Sequence, residues 1–111
     1  SWCALCRESF PKAAEMRTVF VAQPLTFLYT SLDESADKWR EAVAEEELPS
    51  STNYRVLHPR TYPWLEKNEV QAIPRYILLS GEGRMIQSRA LGPGKDAEAT
   101  IQALLSDSGK L

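Results

Sequence analysis

Histidine occurs once and cysteine twice in this chain of 111 residues. A structural zinc site takes about four ligands. Cys3, Cys6 and His58 would therefore need a fourth ligand or a second chain. The net charge is -2 and no basic cluster is present, which argues against nucleic acid as a partner. No apolar run is long enough to cross a membrane. There is no signal peptide, internal repeat, low-complexity segment or linker. The initiator methionine is absent too, and the abrupt opening Ser1-Trp2-Cys3 looks cut. What remains is an ordinary globular composition, 43% hydrophobic and 25% charged. Residues 1–111 then read as one domain with one core.

Both cysteines lie in one short stretch, Trp2-Cys3-Ala4-Leu5-Cys6. A disulfide at this spacing closes a very short loop and constrains the unfolded chain little, so stapling is a poor reason for it. A redox dithiol needs only what the stretch contains. Cys-x-x-Cys at the start of a helix places the first sulfur among free backbone N–H groups, at the positive end of the helix dipole. Thiolate is favoured there, and the pKa of Cys3 is expected to fall from about 8.5 toward or below neutrality. Cys6, one turn further in, is expected to be more buried and less acidic. Such motifs occur in reducing and oxidising compartments alike, so the pair does not fix the compartment.

The first helix is expected over 3–22, with Phe10, Ala13, Ala14 and Val21 as its apolar stripe and Pro11 as a kink. Leu25–Leu32 is apolar at nearly every position, like a strand buried on both faces. A second helix, capped by Asp33 or Ser35, runs to about Glu47 with Ala36, Trp39 and Val43 inward. Its acidic run Glu45-Glu46-Glu47 reads as a solvated helix end. After a loop at Pro49–Thr52 come a short strand at Tyr54–Leu57, a turn at His58-Pro59-Arg60 and a short helix at Tyr62–Glu69. Arg75–Ser80 is a second apolar strand. Gly81-Glu82-Gly83 turns it into a polar edge strand at Arg84–Ala90. The last helix covers 95–107, with Ala97, Ile101, Leu104 and Leu105 inward. This alternation predicts an α/β sandwich with a mixed sheet.

In this order, the segments resemble the TlpA/ResA-like family of thioredoxin-fold thiol-disulfide oxidoreductases over nearly the whole chain. The resemblance is carried by Trp2-Cys3-x-x-Cys6, by Pro11, and by Ser31-Leu32-Asp33-Glu34 before a Trp-bearing helix. It continues through Val70-Gln71-Ala72-Ile73-Pro74 before Arg75-Tyr76-Ile77-Leu78-Leu79, and Gly81-Glu82-Gly83-Arg84-Met85-Ile86. It implies a thioredoxin-like three-layer sandwich with a mixed sheet, whose central strand would precede Ser1 and lie outside this chain. It also implies a bacterial, extracytoplasmic or periplasmic protein, often membrane-tethered, that reduces disulfides in partner proteins without a cofactor and draws on an upstream electron donor. The Ile73-Pro74 bond is expected to be cis, beside the cysteines. Two positions depart from the family pattern. The acid common three residues after the second cysteine is Ser9 here, with Glu8 turned elsewhere, and the dipeptide between the cysteines is Ala4-Leu5.

The expected catalytic residues are Cys3, as nucleophile, and Cys6, which resolves the mixed disulfide. Trp2, Ile73, Pro74 and Arg75 are expected to bind substrate. Trp2 is read as a wall of the substrate groove, with plain core as its alternative. Arg75 is either a solvated edge charge or a stabiliser of the Cys3 thiolate. Trp39 is read as core, Trp64 stays open, and His58 reads as a polar loop residue. Two other functions remain: a copper-handling domain using Cys3, Cys6 and His58, since soft thiolates suit Cu(I), and an interaction domain with a vestigial dithiol.

Overall fold

A computed structural model describes residues 4–46 and 52–106. The first helix, α1, spans Ala4–Val19 and continues through Pro11. Its buried residues are Cys6, Phe10, Ala13 and Met16. Phe20 follows in the closing turn and is 2% exposed. Spacings of three and four place these side chains on one face. The expected stripe was half right. Phe10 and Ala13 are buried, whereas Val21 is 82% exposed, because the helix has ended and the chain has turned.

Strand β1, Tyr29–Ser31, pairs in parallel with β2, Asn53–Arg55, through the partners Tyr29↔Asn53, Thr30↔Tyr54 and Ser31↔Arg55. Helix α2, Ala36–Glu45, makes the crossover between them. Both strands are shorter than expected. The segment 25–32 is not buried on both faces either. Leu25, Phe27 and Tyr29 are half-buried and Ser31 is buried, while Thr26, Leu28 and Thr30 point outward. This is the period-two alternation of a strand with one covered face. The expected strand at Tyr54–Leu57 starts one residue earlier and ends before Leu57, which is 70% exposed.

Ser35 caps α2, its hydroxyl accepting from the Lys38 N–H at 3.2 Å. Ser35→Ala is therefore expected to cost about 1 kcal/mol, read as a shift in the denaturation midpoint, and Ser35→Asn is expected to restore it. Ala42 is the fully buried residue of this helix, with Ala36, Trp39 and Val43 half-buried around it. Glu47 and the segment 47–51 lie outside the described residues.

Helix α3, Pro63–Lys67, begins with proline at its first position, where no N–H donor is lost. Strand β3, Leu78–Leu79, then pairs antiparallel with β4, Met85–Gln87. The turn between them is closed by Gly83 N–H to Ser80 O and Ser80 N–H to Arg84 O, at 2.9 and 2.8 Å. Gly83 has φ +85°, a left-handed conformation that favours glycine. The two strands are again shorter than the expected Arg75–Ser80 and Arg84–Ala90. Helix α4, Lys95–Ser106, closes the described chain and buries Ala97 and Ile101.

Among the described residues, the parallel and antiparallel pairs form two separate two-stranded sheets. The mixed strand directions expected from the sequence are present, but β1 and β3 are not hydrogen-bonded to each other. Two clusters hold the elements together. In one, Met16, Phe20, Ala97 and Ile101 gather Leu25, Phe27, Leu78 and Leu105. In the other, Cys6 and Phe10 gather Tyr29 and Val43. Helix α1 is common to both, so the element that carries Cys6 is also the one on which the rest packs.

Candidate active site

Cys6 stands in the first turn of α1 and is 8% exposed. Its sulfur is engaged in a disulfide. Trp2 and Cys3, expected as groove wall and nucleophile, lie outside the described residues. Leu5, between the cysteines in sequence, is 64% exposed, so the apolar dipeptide faces outward while Cys6 faces in. Ser9 donates its hydroxyl to the Cys6 carbonyl at 2.7 Å. It thus serves the helix backbone rather than taking the place of an acid. Glu8 is exposed.

Behind Cys6, Phe10 meets Tyr29 edge to face, with ring centroids 6.1 Å apart and planes at 76°. Arg17 sits over the Tyr29 ring, 5.6 Å from its centroid, and donates from Nη1 to the Tyr29 hydroxyl. Tyr29 and Arg17 were not singled out from the sequence. The available signal was spacing, since Arg17 lies seven residues after Phe10 and shares its face. Burial raises the Tyr29 pKa above 10.0, and the nearby Arg17 charge and hydrogen bond offset part of that rise. The folded protein then holds this proton more tightly than the unfolded chain does. The stability linked to it is complete below pH 10 and is lost as pH rises through the raised value. Tyr29→Phe is expected to flatten the alkaline arm of the stability profile relative to wild type, measured by denaturant titration between pH 8 and pH 11.

The opening turn of α1 is also tied to the end of α2. Arg7 pairs with Glu45 at 3.4 Å and with Glu46 at 3.5 Å. These two acids are thus more than a solvated helix end, although pairs this exposed contribute at most about 1 kcal/mol. They offset the positive charge that Arg7 adds near a helix N-terminus.

The other expected site segment is Ile73-Pro74-Arg75. Its Ile73–Pro74 peptide bond is cis. Ile73 is 45% exposed and Pro74 half-buried. Arg75 is neither a free edge charge nor an open cation, because its guanidinium donates to three backbone carbonyls, those of Asn68, Glu69 and Ser88. Trp64 is 37% exposed on α3. His58 is exposed, in a loop whose Arg60 pairs with Glu34 at 2.6 Å. Among the described residues no three His, Cys, Asp or Glu side chains gather to hold a metal ion, and no helix is long and apolar enough to cross a membrane.

No protein-family model matches the chain, and no curated protein matches it. A solved structure does. It is the solution structure of a "putative thiol-disulfide oxidoreductase" from Bacteroides vulgatus, superposing with a TM-score of 0.82 at 24% identity over 96% of this chain and 68% of that one. With its α/β order and its helix opening on Cys6, the chain has a thioredoxin-like fold.

Proposed function

We propose that the protein is a thiol-disulfide oxidoreductase that reduces disulfides of partner proteins through Cys3 and Cys6. The observation that carries this reading is the disulfide-bonded, buried Cys6 in the first turn of α1, within a fold shared with the Bacteroides vulgatus protein. The Cys3 thiolate attacks one sulfur of a partner disulfide. A mixed disulfide forms and one partner thiolate leaves. Cys6, as thiolate, then attacks the Cys3 sulfur and releases the second partner thiolate. Two electrons pass to the partner, its two thiolates take up two protons, and this chain is left oxidised. No cofactor takes part. A dithiol donor restores the reduced pair. The burial of Cys6 supports the assignment of roles, since a shielded sulfur meets Cys3 more readily than it meets a partner. An extracytoplasmic setting, with a tether outside this chain, goes with the reading.

The reduction potential sets the direction of electron flow. Equilibration against glutathione is expected to give a value near that of a reductant, about -270 mV, whereas a value near about -120 mV would make the protein an oxidant. Stoichiometric copper in protein purified without chelator, with no exchange activity, would favour the metal-handling alternative.

A further inference from the structure

The turn that ends α3 is built in an unusual way. The Val70 N–H reaches the Leu65 carbonyl at 2.9 Å and the Glu69 N–H reaches the Glu66 carbonyl at 3.0 Å. This pair of bonds is a Schellman motif, whose left-handed position is commonly glycine. Here Glu69 occupies it, at φ +54°. A non-glycine residue in that conformation needs support from its surroundings. The Arg75 side chain supplies it. Nη1 donates to the Glu69 carbonyl at 3.0 Å and Nη2 to the Asn68 carbonyl at 3.1 Å. Nε donates to the Ser88 carbonyl at 2.8 Å. The Glu69 carboxylate adds a pairing with Arg89 at 3.6 Å.

Arg75 therefore closes a ring. The segment Val70–Pro74 leaves the turn at Glu69 and returns to Arg75, and one side chain joins its two ends. The Nε bond anchors that ring to the chain leaving β4. Just beyond, the Ala90 N–H bonds the Tyr76 carbonyl at 2.9 Å. A planar fork with donors in three directions suits three carbonyls, whereas a lysine ammonium is a single point on a flexible stem.

We infer that Arg75 is a positioning residue for partner binding: by pinning both ends of Val70–Pro74, it holds the backbone around Ile73 and Pro74 in the shape that receives an extended segment of a disulfide-bearing protein. The inference rests on the proposed function, with Ile73 and Pro74 as the expected partner-binding residues. It replaces the reading of Arg75 as a solvated edge charge, because the guanidinium is engaged by three backbone carbonyls.

The test compares wild type with Arg75→Lys and Arg75→Ala, and with Arg84→Ala as a charge control, since the exposed Arg84 side chain pairs with the exposed Glu82. Hydrogen exchange at the Glu69 and Val70 amides needs no activity. It is expected to speed up by about tenfold in both Arg75 variants while amides of α1 stay unchanged, the size of effect one lost charge-assisted bond supports. In turnover with insulin, KM is expected to rise by about tenfold with kcat nearly constant, from the same loss. Reduction of 5,5'-dithiobis(2-nitrobenzoate), which needs no extended groove, is expected to keep its wild-type rate, and the reduction potential to hold. Arg84→Ala is expected to match wild type throughout. Unchanged exchange at Glu69 and Val70, or equal slowing with both substrates, overturns the inference while leaving an active wild type. A wild type inactive on both substrates overturns the proposed function, and the purpose given to Arg75 falls with it, whatever the exchange data show.

Discussion

Replacing Cys6 with serine is expected to convert the protein into a trap. The variant keeps Cys3 and forms mixed disulfides with partner proteins, but nothing resolves them. Covalent complexes then accumulate on non-reducing gels and dissolve in dithiothreitol. Cys3→Ser is expected to form few or none, because the remaining thiol is 8% exposed and held in the first turn of a helix. Catalysed reduction of insulin is expected to fall by about 10³-fold or more in both variants, since each removes a covalent participant from a two-step exchange. Serine is close to cysteine in size, so the loss is chemical and the fold is retained. Mass spectrometry of the trapped species also identifies the partner. Equal trapping by both variants would reverse the assignment of nucleophile and resolving residue.

The second large effect concerns stability. Phe20 is 2% exposed and packs with Met16, Ala97 and Ile101, where α1 and α4 meet. Phe20→Ala is expected to cost about 3–5 kcal/mol through lost burial and the cavity left behind. Domains of this kind have roughly 5–15 kcal/mol in total, so the variant stands near unfolding at room temperature. Neighbouring Val21 is 82% exposed, and Val21→Ala is expected to stay within about 0.5 kcal/mol of wild type. Urea denaturation at one fixed redox state checks both. A similar midpoint shift for the two variants would contradict the packing described for α1.

Some of this was legible in the residues. Phe10 and Ala13 marked the inner face of α1, because helical spacing is local and shows in one segment. Ser35 was among the expected caps, since a hydroxyl at that place has an N–H to accept. The Gly81-Glu82-Gly83 turn is also where it was expected, and the bond before Pro74 is cis as expected. Strand lengths were not legible. Leu25–Leu32 and Arg75–Ser80 are apolar enough for long buried strands, yet among the described residues their strand ladders cover Tyr29–Ser31 and Leu78–Leu79. Composition reports burial, whereas a strand needs a partner supplied from elsewhere in the chain. The role of Arg75 was hidden for a related reason. Its acceptors are backbone carbonyls, and every residue has one, so no side chain announces them. The same holds for Ser9, whose hydroxyl bonds a carbonyl in its own helix. Tyr29 looked like strand core until Arg17 and Phe10 were placed around it.

The central claim is that Cys3 and Cys6 exchange electrons with a protein disulfide. A single-turnover measurement tests it most directly: fully reduced protein, freed of reductant, is mixed with insulin, and thiols are counted on both proteins over time. The account predicts that this chain loses two thiols as the insulin disulfide gains two, that the reaction stops after one equivalent, and that Cys3 and Cys6 are recovered joined to each other. Insulin left intact by fully reduced protein, at the rate of its uncatalysed control, would contradict it.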